Sequence, residues 1–88
     1  MEAKGMNILE KALREYSGKD AIIGISHKLY GDQKLKVNFS FIWDEQRVGF
    51  VAKSGHEIFI YKTDLVDYGI EDGIYFADNL TRVDIKIA

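Results

Sequence analysis

An alternation in the middle of the chain constrains the fold more than any other feature. Between Lys34 and Trp43 the apolar positions recur at every second residue. They are Leu35, Val37, Phe39, Phe41 and Trp43, and they alternate with Lys34, Lys36, Asn38 and Ser40. A period of two is typical of a strand that buries one face. A single strand is not stable alone, so the rest of the chain must form a sheet beside it.

Other segments carry the patterns of one helix and of further strands. Asn7 is a suitable N-cap, and Leu9, Leu13 and Tyr16 recur at helical spacing, which predicts a helix over 7–17. Residues 1–5 have no pattern and are interpreted as an expression remnant or a frayed tail. We predict strands at 21–30, 35–43, 47–53, 56–62, 74–77 and 81–87.

The connections between these segments also have sequence signals. Gly31 and Asp32 predict the first hairpin turn, and Ser54-Gly55 predicts a two-residue hairpin turn. Gly49 in the middle of a strand indicates a bulge or a sharp coil. Asp64 is a suitable cap for a short turn of helix that ends at Gly69.

This order of elements predicts an α+β fold. We expect an N-terminal helix packed on a strongly bent antiparallel sheet of about five or six strands, rolled into a small, partly open barrel of the SH3 or Sm type. The alternatives are a flat antiparallel sheet and a pleckstrin-like half barrel with one helix. The 88 residues form a single domain, 1–88, with the sheet or barrel over 20–88.

The composition argues against several classes of function. The chain has no cysteine, which excludes disulfides, thiolate catalysis and the common zinc sites. No apolar run approaches the roughly 18 to 20 residues that span a bilayer. We therefore expect a soluble, cytoplasmic protein with no membrane partner.

Residues that could support catalysis or bind a cofactor are few and scattered. His27 and His56 fit no ligand motif, and no serine lies in a nucleophile elbow. The acidic positions Asp64, Asp67, Glu71, Asp72 and Asp78 lack the spacing of a calcium loop, and we interpret them as a solvated face. We predict no catalytic residue, no metal site and no cofactor.

The predicted strand at 56–62 is apolar on both sides. Ile58 and Ile60 share one face, while Phe59 and Tyr61 share the other. We expect this strand to be central and covered on both faces; the alternative is that one face is an interaction surface. The candidate interface consists of Ile42, Phe59, Tyr61, Tyr68 and Tyr75, unless the helix and the 64–70 segment cover them.

A basic hairpin provides a second functional hypothesis. Lys28, Lys34 and Lys36, with Tyr30 among them, could bind a single-stranded nucleic acid through its phosphates and bases. The net charge of -2 disfavours nucleic acid as the partner. We therefore expect a non-catalytic binding domain with a protein partner, including self-association through a sheet edge.

Overall fold

The α+β fold is confirmed by a computed structural model that describes residues 3–52, 55 and 57–87. One helix, α1 (Ala3–Tyr16), precedes an antiparallel sheet. The strands are β1 (Asp20–His27), β2 (Gly31–Trp43), β3 (Arg47–Ala52), β4 (Glu57–Tyr61), β5 (Asp67–Ile70), β6 (Ile74–Ala77) and β7 (Thr81–Ile87). A turn of 3-10 helix at Lys62–Asp64 connects β4 to β5.

The strands form one sheet in the order β4-β3-β2-β1-β7-β6-β5, and every neighbouring pair is antiparallel. The long strand β2 joins the two halves of this sheet. Its first part pairs with β1 as far as Asn38, and its second part pairs with β3 from Phe39 onward. The predicted alternation therefore belongs to a strand shared by both halves.

The connection between β4 and β5 requires the sheet to bend. Six residue steps separate Tyr61 from Asp67, which span at most about 22 Å at about 3.6 Å a step. In a flat sheet of seven strands, the outermost strands lie about 29 Å apart, at about 4.8 Å a strand. The flat alternative therefore does not fit, and the bent sheet does. The type of barrel stays a prediction.

The core lies between the inner face of the sheet and α1. Its fully buried side chains include Leu13 of the helix, Phe50 of β3 and Phe76 of β6, each with no exposed surface. Leu9 and Ala12 are also buried on this face of α1. A helix of this length is only marginally stable alone in water, so its packing on the sheet stabilises it.

Several predicted boundaries are wrong in detail. The helix begins at Ala3, so residues 3–5 belong to it and Asn7 is not its cap. His27 pairs with Gly31, which places the first hairpin turn at 28–30 instead of at Gly31 and Asp32. Gly49 pairs in regular register with both of its neighbouring strands, without a bulge. The predicted Ser54-Gly55 turn lies outside the described residues except for Gly55, which has the expected positive φ of 94°.

The short helix predicted to start at Asp64 is also wrong. The 3-10 turn ends at Asp64, and the chain continues into β5. Val66 N donates to Ala77 O at 2.9 Å, and Gly69 pairs with Tyr75. The segment forms a strand because β6 supplies hydrogen-bond partners that an isolated turn of helix lacks.

Candidate functional site

The candidate site is the outer edge of β4. Lys62 N donates to Gln46 O at 2.7 Å, which identifies the hydrogen-bonded pairs between β3 and β4. By this register, Ile58 and Ile60 direct their backbone groups to β3. Glu57, Phe59 and Tyr61 direct theirs away from the sheet. Among the described strands, none pairs with this side of β4.

Two aromatic rings stand exposed on the outer face of the same strand. Phe59 is 36% exposed and Tyr61 is 48% exposed, whereas Ile60 on the opposite face is buried. The two rings meet edge to face, with their centroids 5.4 Å apart. The expectation that β4 is central and covered on both faces is therefore wrong. It failed because β4 is an edge strand, and the helix lies on the other face of the sheet.

A cation lies beside these rings. The guanidinium carbon of Arg47 is 4.9 Å from the centroid of the Phe59 ring, a distance that permits a cation-π interaction. Arg47 Nε also donates to Asp44 Oδ2 at 2.8 Å. This hydrogen bond is the main reason why the pKa of Arg47 is raised and the pKa of Asp44 is lowered. The ion pair holds the guanidinium over the Phe59 ring.

Gly49 permits the close approach of β3 and β4. A Cβ atom at Gly49 would lie 2.0 Å from the carbonyl oxygen of Ile58 and 2.6 Å from Phe59 Cα. No side chain fits there unless the backbone of β4 moves. The outer row across these strands is thus Ile42, Gly49 and Phe59, in which Ile42 is half-buried.

The structure divides the five predicted interface residues among three places. Ile42, Phe59 and Tyr61 share the outer face at the β4 end of the sheet. Tyr75 is on the outer face too, but it lies on β6, five strands away in the sheet order. Tyr68 packs against the core from the inner face. Only the first three residues form one surface.

Tyr75 makes contacts of its own. The guanidinium carbon of Arg82 lies 4.4 Å from its ring centroid, and its hydroxyl donates to Asp67 Oδ1 at 3.3 Å. Partial burial, followed by the nearby charge of Asp67, raises the pKa of Tyr75. These contacts connect β5, β6 and β7, so this tyrosine has a structural role.

Sequence reasoning missed other residues that lie beside Phe59 and Tyr61 on the outer face. Arg47 and Val51 lie on the outer face of β3, opposite Tyr61 and Glu57 respectively. The signal was present in the sequence, because Val51 is an apolar residue on the side of β3 that also carries Arg47. We call the set Ile42, Arg47, Val51, Glu57, Phe59 and Tyr61 the β4 surface.

The four residues of the nucleic-acid hypothesis do not form a uniform basic surface. Lys28 and Tyr30 lie in the first hairpin turn, where Tyr30 is 84% exposed and its ring stacks on His27. Lys34 and Lys36 lie farther along β2 on the outer face. Two lysines, Lys34 and Lys86, line the same trough as the carboxylates of Asp32 and Asp84. Nucleic-acid binding stays a prediction.

The polar groups elsewhere take part in local structure. His27 Nδ1 accepts a hydrogen bond from Leu29 N at 3.0 Å, and His56 lies outside the described residues. Asp78 Oδ1 accepts from the backbone N–H groups of Leu80 and Thr81, at 2.8 and 2.7 Å. Among the residues that the structure describes, no three His, Cys, Asp or Glu side chains lie close enough to hold a metal ion.

Comparison with protein families, with curated proteins and with solved structures finds no match to this chain. Within the described ranges, no helix has the length and apolar character to cross a membrane. A function for the chain is therefore inferred from its own residues.

Proposed function

We propose that this chain is a non-catalytic protein-binding domain, which binds an extended segment of its partner as an additional strand at β4. One observation carries the proposal: Glu57, Phe59 and Tyr61 direct their backbone groups away from the sheet, beside two exposed aromatic rings. In strand addition, main-chain hydrogen bonds supply affinity, and alternate side chains supply specificity.

The sequence of β4 supports this proposal. Exposed edge strands usually carry a lysine, a proline or a bulge that prevents pairing with other chains. The strand Glu57–Tyr61 has the sequence EIFIY, which contains neither lysine nor proline. It pairs with β3 in regular register over its whole length. Within the described part of the chain, this edge is therefore open to a further strand.

The side chains around this edge favour a partner segment of particular chemistry. Phe59 and Tyr61 provide aromatic surface on the outer face, and aromatic residues are enriched in protein interfaces. Arg47, opposite Tyr61, adds a guanidinium that is paired with Asp44. We expect the partner to offer alternating apolar residues.

A library of random linear peptides, panned against the immobilised domain, tests the proposal. We expect selected peptides to carry apolar residues at alternate positions and to bind Phe59→Ser at least about tenfold more weakly. Tyr30→Ser is the matched control, because Tyr30 is a more exposed aromatic residue far from β4. Peptides should also shift the amide resonances of β4 more than those of β5.

Two results would contradict strand addition at β4. One is a selection that returns no peptide above background. The other is a set of peptides that bind Phe59→Ser and Tyr30→Ser equally well, since binding would then occur elsewhere on the domain.

A further inference from the structure

We infer that a second copy of this chain occupies the β4 edge, as an antiparallel strand related by a two-fold axis at Phe59. The inference rests on the proposed function and names its partner. It depends on the register of the outward backbone groups, on the side chains that the two-fold axis brings together, and on the charges beside them.

The backbone geometry of β4 suits such a pairing. Two antiparallel copies exchange hydrogen bonds only where residues with outward backbone groups face each other. With the axis at Phe59, Phe59 faces itself and Glu57 faces Tyr61 of the second copy, so all three outward residues of each strand are paired. Three pairs with two bonds each give six hydrogen bonds. Any other antiparallel register pairs fewer of these residues within Glu57–Tyr61.

The side chains are complementary in this register. On the outer face, the Phe59 rings of both copies meet, which continues the row of Ile42, Gly49 and Phe59 into the second sheet. The carboxylate of Glu57 comes beside Tyr61 of the second copy, whose neighbour on β3 is Arg47. No like charges face each other directly, and like charges in facing positions would destabilise the pair.

The inner face is compatible with the same pairing. Ile58 is half-buried, and the two-fold axis places it opposite Ile60 of the second copy. Two five-residue strands with their flanking side chains form an interface below the roughly 1,200 Å² of stable complexes. We therefore expect a dimer that forms in the range of about 0.1 to 1 mM protein.

A charge exchange tests both the partner and the register. Tyr61→Glu places a carboxylate opposite Glu57 of the second copy, so we expect dimerisation to weaken at least about tenfold. Adding Glu57→Lys to the same chain places opposite charges across the axis. We expect this double variant to recover dimerisation to within about threefold of the natural sequence, and to lose it again in high salt. Sedimentation equilibrium up to about 1 mM measures each constant.

A single cysteine provides a test that does not depend on these charges. The natural sequence has no cysteine, so Phe59→Cys has one thiol, which the two-fold axis places across from its own copy. Facing residues in an antiparallel pair have Cα atoms about 5.5 Å apart, within the range of a disulfide. Loss of the Phe59 rings weakens the pair, but its main-chain hydrogen bonds remain. Under mild oxidation at about 1 mM we therefore still expect Phe59→Cys to form dimers faster than Tyr30→Cys, although Tyr30 is more exposed.

The outcomes separate this inference from the proposed function. The second copy is not the partner if the protein stays monomeric up to about 1 mM. It is also ruled out if Tyr61→Glu leaves dimerisation unchanged and Tyr30→Cys cross-links faster than Phe59→Cys. Peptides that still select β4 would then leave the proposed function standing. Monomers together with a failed peptide selection would overturn both. Dimers with rescue by the double variant, together with selected peptides that bind at β4, support both.

Discussion

The two outermost strands of the sheet differ in what surrounds them. At one end, α1 packs against β5, and the ring of Tyr75 lies on Gly69 of this strand. At the other end, β3 is the only element in extensive contact with β4, as far as the structure describes the chain. The same sheet thus has one edge strand with a helix and an aromatic ring against it, and one that presents its backbone groups and two rings.

This difference indicates where binding occurs. An edge that serves only the stability of the fold is normally short, charged or covered. The strand β5 contacts the helix and lies under the Tyr75 ring, whereas β4 contacts mainly β3 and has four apolar or aromatic residues among its five. We therefore expect association to depend on the β4 surface and not on the β5 end, whereas both ends contribute to stability.

Truncating a helix residue should have the largest effect. Leu13 is fully buried in the core, so we expect Leu13→Ala to lower the free energy of unfolding by about 3 kcal/mol. Urea unfolding measures the loss. Ile8→Ala is the control on the same helix, because Ile8 is 57% exposed and should change stability by less than about 0.5 kcal/mol. Equal losses for the two variants would contradict the packing of α1 on this face.

Alanine substitutions at two glycines compare the stability of the two ends of the sheet directly. A Cβ atom at Gly49 meets the backbone of β4, so we expect Gly49→Ala to cost about 2 kcal/mol in urea unfolding and to weaken association. At Gly69 the nearest atoms, 3.1 Å away, belong to the side chain of Tyr75, which can move. Gly69→Ala should therefore cost less than about 1 kcal/mol. If Gly69→Ala costs more stability than Gly49→Ala, β4 does not depend on the close approach at Gly49.

The stabilisation contributed by titratable groups at the two ends of the sheet should be lost at opposite extremes of pH. The pKa of Asp44 lies below its ordinary 3.8, mainly because Arg47 donates a hydrogen bond to it. Its stabilisation is present above pH 3.8 and is lost as pH falls through the lowered pKa. We expect Asp44→Asn to reduce Tm at neutral pH and to make Tm fall less steeply as the solution is acidified. A dependence of Tm on acid pH identical to that of the natural sequence would contradict this role of Asp44.

Tyr75 supplies the alkaline counterpart. Its pKa lies above 10.0, because of partial burial and the charge of Asp67. The corresponding stabilisation is present below pH 10.0 and is lost as pH rises through the raised pKa. A titration of tyrosine absorbance should lose a component above pH 10.0 in Tyr75→Phe. A titration curve of unchanged shape in Tyr75→Phe would contradict the assignment.

The sequence predicts where the helix and strands lie in the chain better than it predicts which strands are neighbours in the sheet. The alternation in β2 depends on adjacent residues, so a single segment contains the whole signal. The place of β4 at an edge depends on β1 pairing with β7, which lies more than fifty residues along the chain. No local pattern reports such a pairing. The covered position expected for Phe59 and Tyr61 was wrong for this reason.

The candidate site was predicted in part for a related reason. Ile42, Phe59 and Tyr61 were identified because each is apolar on a side without an evident inward role, and they lie on one surface. Tyr68 satisfied the same criterion, but its segment forms β5 and places the half-buried ring against the core. Arg47 was missed because its contact with Phe59 joins different strands.

Amide hydrogen exchange along β4 tests the central claim most directly. In dilute protein we expect the amides of Phe59 and Tyr61 to exchange fast, while those of Ile58 and Ile60 are protected by β3. At about 1 mM the amides of Phe59 and Tyr61 should become protected as the second copy pairs with them. Protection of Phe59 and Tyr61 in dilute protein, or fast exchange at every concentration and with every selected peptide, would contradict a β4 edge that is free to bind.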